Sequence, residues 1–293
     1  MAKLLKVQDV MVEGEFFNRW AHNRILKNKN ILGAITGPTG SGKTYSLISL
    51  CENYYKNVLN KKFPIENICF SLGAVARRLD SGELKTGEIL ILEEAGCNLG
   101  SLDFQNKMSK MFTYILQSFR SMNLGLIMTL PVLTMLNKQT RLLIHFHFIT
   151  ETINYETKVC ELRPLFHQLN QQSGKSFWKY PRIRFNGRKR KISRLCYTIP
   201  SKEVLKKYEL QKSRFVGDIT KDFINQCNKD ERKNQLKELR QTLSPLQKQV
   251  YDLLCLGYKQ VDIAKELNKT SDVVSKTKKA FEKKGYKIVV DEN

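Results

Sequence analysis

The chain has few histidines and tryptophans, and its cysteines are widely separated. The 293 residues include four histidines, two tryptophans and seven cysteines, and no two cysteines stand in a C-x-x-C pair. Structural zinc sites usually need such closely spaced Cys or His ligands. We therefore expect no zinc site, and we expect the cysteines to be reduced thiols.

Long hydrophobic runs are also missing. The longest, Leu124–Leu136, is interrupted by Pro131 and is shorter than the roughly 20 residues that a membrane-spanning helix needs. The opening MAKLLKVQDVMVEGEF contains no apolar core of signal-peptide length. These features predict a cytoplasmic protein without a membrane span.

Acidic residues are too few to balance the basic ones, and the imbalance is uneven. The formal net charge is +22; residues 1–170 carry 20 Lys and Arg against 14 Asp and Glu, and residues 171–293 carry 30 against 14. An excess of cations in one part of a chain indicates a polyanionic partner, and DNA is the one we expect. A charged surface that only maintains solubility is the alternative.

Short apolar runs alternate with helical patterns through residues 1–170, the predicted first domain. Near-continuous apolar strands separated by helices are typical of an α/β fold with a mainly parallel sheet covered on both faces. A helix is predicted over Thr44–Tyr55. The predicted strands are Ile31–Thr36, Glu66–Leu72, Glu88–Leu92, Leu124–Leu130 and Leu142–Thr150.

A complete phosphate-binding motif follows the first of these strands. It matches G-x-x-x-x-G-K-[ST] and consists of Gly37, Pro38, Thr39, Gly40, Ser41, Gly42, Lys43 and Thr44. Glycines allow backbone N–H groups to converge on phosphate oxygens, while Lys43 is placed to reach the β and γ phosphates and Thr44 to offer its hydroxyl to Mg²⁺. The motif predicts ATP and Mg²⁺ as ligands.

Two acids follow a second apolar strand, in the segment EILILEEAG. A triphosphate site needs one acid for the metal and one for the attacking water, and both should stand at the end of a strand beside the loop. By position, Glu93 is the predicted metal ligand, through water, and Glu94 is the predicted general base. Two acids that cap the start of a helix are the alternative.

The arrangement resembles a known division of P-loop proteins. An extra strand, ICFSL, lies between the loop and the acids, and with it the chain looks like an additional-strand, catalytic-glutamate ATPase. The later segment LQSFRSMNLGLIMTLP resembles the FtsK/HerA group, including packaging and Zot-like members. That family normally has Asp where this chain has Glu93. The resemblance implies that Thr129 is a γ-phosphate sensor and that Arg120 or Arg141 is an arginine finger, unless both form only surface ion pairs.

A finger that acts between subunits would imply a ring-shaped homo-oligomer, such as a hexamer.

The segment 171–200 is a predicted basic hairpin with Asn186 and Gly187 in a tight turn. A two-residue turn places Arg184 opposite Lys189 and Arg182 opposite Lys191, on one face that attracts an anion such as the DNA backbone. A solvated hairpin and a nuclear-import tract are the alternatives.

A charged helical linker is predicted over 201–241, followed by a small helical domain over 242–293. Ser244, Pro245 and Gln247 fit a capping box. The last helix is predicted to bury Val273, Val274, Thr277 and Phe281. It leaves Asp272, Ser275, Lys276 and Lys279 outward as candidate DNA contacts.

This domain resembles the helix-turn-helix of LuxR-type regulators and of sigma-factor region 4, which implies DNA binding; a protein-docking module is the alternative. Taken together, the sequence predicts an ATP-dependent DNA translocase or packaging motor. A DNA-binding regulator switched by nucleotide and a Zot-like assembly or secretion ATPase are the alternative functions.

Overall fold

The computed structural model of the protein describes residues 11–13, 15–94, 112–117, 119–185 and 188–283. The chain divides into two compact units, Met1–Phe215 and Val216–Asn293. The predicted turn residues Asn186 and Gly187 lie outside the described residues. Among the helices in the described ranges, none is both long enough and apolar enough to cross a bilayer.

The helices of the described ranges alternate with strands as far as residue 154. They are α1 (Glu15–Ile25), α2 (Lys43–Tyr54), α3 (Leu72–Asp80), α4 (Lys138–Leu143), α5 (Lys202–Thr242), α6 (Pro245–Cys255), α7 (Gln260–Glu266) and α8 (Ser271–Lys283). Residues 112–117 and 119–122 are also helical. Tyr55–Leu59 extends α2 as a π-helical turn, and short 3₁₀ segments occupy Ile65–Asn67 and Leu133–Met135.

The strands form one large sheet and one separate hairpin. They are β1 (Met11–Glu13), β2 (Ile31–Thr36), β3 (Ile68–Cys69), β4 (Ile89–Leu92), β5 (Gly125–Leu130), β6 (Phe146–Asn154), β7 (Val159–Leu169), β8 (Ser176–Lys179), β9 (Arg182–Phe185), β10 (Arg188–Lys191) and β11 (Arg194–Thr198).

The large sheet is mixed and mainly parallel. Its strand order is β1-β11-β7-β6-β2-β5-β4-β3, with β8 also paired to β7. Strands β6, β2, β5, β4 and β3 run parallel, whereas β7 is antiparallel to β6, β8 and β11. The α/β class is confirmed, and the antiparallel part around β7 is an addition to the predicted sheet.

The core lies on both faces of the sheet, as the continuous apolar strands predict. All six residues of β2 and of β5 are buried. On one face Phe17, Tyr54 and Phe148 belong to a single buried cluster. Leu116 and Met128 belong to a second cluster, which includes the other side chains of the strands. Because both faces are covered, the polar groups of the sheet become accessible mainly at its edges.

Two predicted strands are shorter than expected because a helix overlaps one end of each segment. In the segment 66–72 only Ile68–Cys69 is a strand, since Ser71 caps α3 by accepting a hydrogen bond from the Ala74 N–H at 3.1 Å. In the segment 142–150 the strand begins at Phe146, because Asn137 caps α4 through the Thr140 N–H at 2.7 Å. Local side-chain caps thus replaced the strand that apolar residues favoured.

In the second unit, the described residues that follow α5 form three short helices around a core of their own. The predicted capping box at the start of α6 is confirmed, with Ser244 and Gln247 bonded to each other's backbone N–H groups. Val274 and Phe281 are buried as predicted, but Val273 is 36% exposed, so its placement on the buried face was wrong. The core also contains Val250, Tyr251, Leu254 and Ile263.

Candidate nucleotide-binding site

A deep cleft opens at the carboxyl ends of the central strands. Its volume is about 820 Å³, within the range of roughly 300–1,000 Å³ that is usual for small-molecule sites. The carboxyl edge of a parallel sheet is the usual location of ligand sites in α/β proteins. The residues that line it come from the glycine loop, α2, the end of β5 and the first part of α5, and also from β6, β7 and β11.

The phosphate motif forms the floor of this cleft. Strand β2 ends at Thr36 and α2 begins at Lys43, so the intervening residues make the predicted loop between a strand and a helix. Gly37 has φ +155°, and a Cβ there would lie 1.8 Å from the Thr150 hydroxyl oxygen. Gly42 caps α2 in a left-handed conformation. Glycine is therefore required at both ends of the loop.

Lys43 bends back over the loop. Its Nζ donates hydrogen bonds to the carbonyl oxygens of Gly37 and Pro38, at 2.9 and 2.8 Å. Burial lowers the pKa of Lys43; Glu94 and Glu93 act in the opposite direction, and Lys212 lowers it further. The ammonium group is thus held beside the residues whose backbone would meet the phosphates.

Glu93 is the acid at the centre of the site. It follows β4 directly and is 1% exposed. Its Oε1 accepts a hydrogen bond from the Thr44 hydroxyl at 3.2 Å, as expected if the two act together on a metal. Its Oε2 is buried and has no hydrogen-bond partner among the described residues. Since a buried carboxylate oxygen normally has a partner, this atom fits an additional ion or water.

Magnesium suits these donors. The described residues contain no group of three or more His, Cys, Asp and Glu side chains that could hold a metal ion by themselves. Mg²⁺ commonly takes only one or two protein ligands and completes its shell with phosphate oxygens and water. Thr44 and Glu93 are the groups that would hold it here.

Glu94 is held at the mouth of the cleft by its backbone. Its φ is +47°, an uncommon conformation for a residue with a side chain, and its N–H donates to Thr129 Oγ1 at 3.0 Å. Thr129 is fully buried at the penultimate position of β5. The hydroxyl predicted to sense phosphate thus fixes the turn that presents Glu94, whose side chain is exposed to the cleft.

Helix α5 contributes two side chains that the sequence did not indicate. The Tyr208 hydroxyl donates to Glu93 Oε1 at 2.5 Å, and Lys212 Nζ donates to the same oxygen at 2.7 Å. Burial alone would lower the pKa of Lys212, but its hydrogen bond to Glu93 and that carboxylate's charge raise it. The segment predicted as a linker therefore reaches the site in its first part.

A threonine and a histidine support the loop from behind. The Thr150 hydroxyl lies 2.6 Å from Ser41 Oγ, and His147 Nε2 lies 2.6 Å from Thr36 Oγ1. Burial lowers the pKa of His147 to about 4, so this ring is neutral at pH 7. The sequence did not indicate that either side chain lies close to the loop.

The two candidate finger arginines do not line the cleft. Arg120 borders a smaller cavity with Asn28 and Asn123, near the amino-terminal ends of β2 and β5. Arg141 lies in α4, which precedes β6. Any role of either arginine would have to be exercised on a neighbouring subunit, and it stays a prediction.

The basic hairpin has the predicted pairing. Strands β9 and β10 are antiparallel, with Arg184 opposite Lys189 and Arg182 opposite Lys191. All four side chains are exposed. Lys191 Nζ also lies 4.5 Å from the centre of the Tyr180 ring. The four cations share one face of the ribbon, as the turn position required.

The candidate DNA contacts of α8 are mostly on its outer side. Asp272, Lys276 and Lys279 are exposed, and Ser275 is half-buried. Val274 and Phe281 fill the opposite side. The helix therefore presents charged side chains, and nothing in its geometry specifies their partner.

The mainly parallel sheet, with the strand, loop, helix and neighbouring acid, forms an α/β fold that resembles P-loop nucleotide-binding proteins. No protein-family model and no curated protein matches the chain. Among solved structures, the N-terminal domain of zonular occludens toxin from Neisseria meningitidis is similar over 51% of this chain and 93% of that domain, with 17% identity and a TM-score of 0.31.

A KaiC-like protein from the archaeon Pyrococcus horikoshii is similar over 58% of this chain and 90% of that protein, with 12% identity and a TM-score of 0.29. Both likenesses are distant and concern the fold alone. They carry no argument about activity, which depends on the geometry of the cleft.

Proposed function

We propose that this protein is a Mg²⁺-dependent ATPase that acts on DNA. The observation that carries the proposal is the convergence of the glycine loop, the Thr44 hydroxyl and the buried Glu93 carboxylate at one edge of the sheet. A buried acid that bonds to the hydroxyl directly after the loop lysine is the arrangement that a metal–triphosphate site needs.

Each side chain of the cleft has a role that follows from its position. The first N–H groups of α2 and the loop backbone hold phosphate oxygens, and Lys43 turns from its two carbonyl partners to the β and γ phosphates. Glu94 accepts the proton of the attacking water, while Thr129 keeps that carboxylate at the mouth of the cleft. Bound Mg²⁺ would neutralise charge on the transferred phosphoryl group.

DNA is the proposed partner because of the surface charge of the basic hairpin. Four exposed cations on one ribbon face repel one another unless an anion lies across them. The phosphates of a nucleic-acid backbone are such anions, and contacts to them require no particular base sequence. Binding of this kind depends strongly on salt.

The experiment that tests the proposal is ATP turnover by the full chain, with and without duplex DNA. We expect hydrolysis in the wild type, stimulation by DNA, and loss of turnover in Lys43→Ala. Lys56→Ala, a change on the exposed side of the same helical segment, is the matched control and should behave like the wild type. Equal turnover in wild type and Lys43→Ala would contradict the proposal.

Coupling of hydrolysis to DNA movement is the finer proposal. It requires a homo-oligomeric ring in which an arginine such as Arg120 or Arg141 reaches a neighbouring site. Sedimentation with Mg²⁺ and ATP, followed by a strand-displacement translocation assay, tests it. A monomer with slow turnover and a sequence-specific footprint on DNA would instead favour the nucleotide-switched regulator.

A further inference from the structure

Two side chains of α5, Tyr208 and Lys212, bond to Glu93, and we name these bonds the α5 contact. Glu93 Oε1 receives three donors, from Thr44, Tyr208 and Lys212, at 3.2, 2.5 and 2.7 Å. A carboxylate oxygen has about two lone pairs, so this oxygen is already saturated. The second oxygen, Oε2, has no partner among the described residues.

The ammonium group of Lys212 supplies the positive charge that the buried carboxylate needs. Glu93 is 1% exposed, whereas the Lys212 side chain is 36% exposed and extends from α5 into the cleft. An uncompensated charge at such a buried position would be strongly unfavourable. In this arrangement a side chain of the protein therefore balances the acid that the metal would otherwise balance.

The ammonium group also lies close to the hydroxyl that would bind the metal. Lys212 Nζ and Thr44 Oγ1 both bond to Glu93 Oε1, so the two atoms lie within about 6 Å of each other. A divalent cation placed at Thr44 would be repelled by an ammonium group at that distance, in a site from which water is partly excluded. An ion at the open Oε2 would therefore compete with the ammonium group at Oε1 for the charge of one carboxylate.

We propose that the α5 contact and Mg²⁺ bind Glu93 in competition, so that loading of the metal nucleotide requires release of the first part of α5. The inference rests on the proposed nucleotide site and adds a regulator to it. Nucleotide binding in the cleft would then change the contacts of α5, a helix that continues beyond the cleft.

Release of the first part of α5 would also break other contacts of this segment. The Tyr45 hydroxyl donates to Glu209 at 2.5 Å, and the Ser201 N–H donates to Glu52 at 2.8 Å. The residue that precedes α5 and a residue within it are therefore both bonded to α2. Phe215 stacks on Phe70, with ring centres 5.1 Å apart. The same helix continues to Thr242, so the chain that leaves this contact leads to the second unit.

The test is a Mg²⁺ titration of the full-length protein with a fluorescent, non-hydrolysable ATP analogue. We expect Lys212→Met to lower the Mg²⁺ concentration for half-maximal binding about tenfold, because one charged hydrogen bond no longer competes. Tyr208→Phe should lower it about threefold, since a neutral donor is removed. Lys206→Met, an exposed change on the same helix, should leave it unchanged.

A second measurement needs no variant. Hydrogen exchange of the amides of residues 205–215 in the wild type should become faster with Mg²⁺ and the analogue together, but not with the analogue and a chelator. Lys212→Gln, which keeps a hydrogen-bond donor without charge, serves if Lys212→Met does not fold. It should also lower the Mg²⁺ midpoint.

The outcomes separate the two proposals. An unchanged or higher Mg²⁺ midpoint in the Lys212 variants, with unaltered exchange in α5, would overturn the competition and leave the nucleotide site intact. Equal analogue binding by wild type and Lys43→Ala would overturn the nucleotide site, and the competition with it.

Discussion

The cleft and the basic hairpin both concentrate charge, but they balance it differently. In the cleft, Glu93 is 1% exposed and its charge is met by Lys212 and two hydroxyl donors. In the hairpin, Arg182, Arg184, Lys189 and Lys191 are exposed, and no acid pairs with them among the residues the structure describes.

Each way of balancing charge suits a different kind of partner. A buried and internally balanced site is prepared for one ligand of defined shape, and salt screens it little. An exposed face of like charges gains binding energy from any polyanion and loses it as salt rises. Changes in one region should therefore leave the properties of the other intact.

The largest expected effect is on catalysis in the cleft, and it should not extend to binding at the hairpin. Glu94→Gln removes the proposed base but keeps a side chain of similar size, so kcat should fall about a thousandfold while nucleotide and DNA affinity persist. Single-turnover ATP hydrolysis measures the change. Glu66→Gln, on an exposed acid, is the matched control. A Glu94→Gln protein with undiminished kcat would remove this residue from the chemistry.

The second effect is on DNA binding by the hairpin, and the properties of the cleft should stay unchanged. Replacement of the four hairpin cations by Gln should weaken duplex DNA binding about a hundredfold at low salt and reduce the slope of log K against log salt by about 3.5, because up to four phosphate contacts are lost. Fluorescence anisotropy over a salt series measures both. The variant carries Arg182→Gln, Arg184→Gln, Lys189→Gln and Lys191→Gln.

Its control removes four exposed lysines elsewhere in the first unit, and it should retain most of the slope. The control carries Lys27→Gln, Lys29→Gln, Lys56→Gln and Lys138→Gln. Equal losses of DNA affinity and salt slope in the two variants would mean that binding depends only on the total charge of the protein. The hairpin would then not be a contact surface.

A third effect tests whether the His147 ring, behind the phosphate loop, stays buried and neutral in the folded protein. Burial lowers the pKa of His147 from 6.5 to about 4, so the folded protein resists protonation that the unfolded chain accepts. Stability contributed by this neutral ring is present above pH 6.5 and is lost as the pH falls toward 4. Between pH 7 and 4.5 the loss should be about 2 kcal/mol.

Urea unfolding at the two pH values measures this loss. The His147→Gln variant should lose less stability than the wild type over the same interval, whereas His22→Gln, at an exposed histidine, should retain the wild-type dependence. An identical pH dependence in the wild type and His147→Gln would show that this ring does not stay neutral in the folded protein.

The smallest effect concerns the second unit. Ser244→Ala removes one half of the capping box at the start of α6 and should destabilise that helix by about 1 kcal/mol. Hydrogen exchange in residues 245–255 measures it. Ser244→Thr keeps a capping hydroxyl and should lose less; if the two variants lost equal protection, the cap would contribute nothing.

Features that depend on neighbours in sequence were predictable. The strand Ile31–Thr36 and the loop after it were predicted residue for residue, because an apolar run, glycines and a helix start are local signals. The register of the hairpin was also predictable, since a two-residue turn fixes which residues face each other. The strand Ile68–Cys69 was predicted too long, over Glu66–Leu72, because Ser71 offered a competing cap.

Features that depend on distant contacts were not predictable. Lys212 and Glu93 are separated by 119 positions, and nothing in the local pattern of α5 distinguishes Lys212 from the other lysines of that helix. The spacing of Tyr208 and Lys212 by four residues places them on one side of a helix, but only packing shows which side meets the sheet. The antiparallel pairing of β7 is likewise a tertiary result.

The central claim is that the cleft holds a metal nucleotide between the loop and Glu93. The most direct measurement is a crystal structure of the full chain with Mg²⁺ and a non-hydrolysable ATP analogue. We predict phosphates in the loop Gly37–Thr44, metal density beside Thr44 and Glu93, and the Lys212 ammonium group moved away from Glu93. An analogue bound outside the loop, or a loop without phosphates at saturating analogue, would contradict the account.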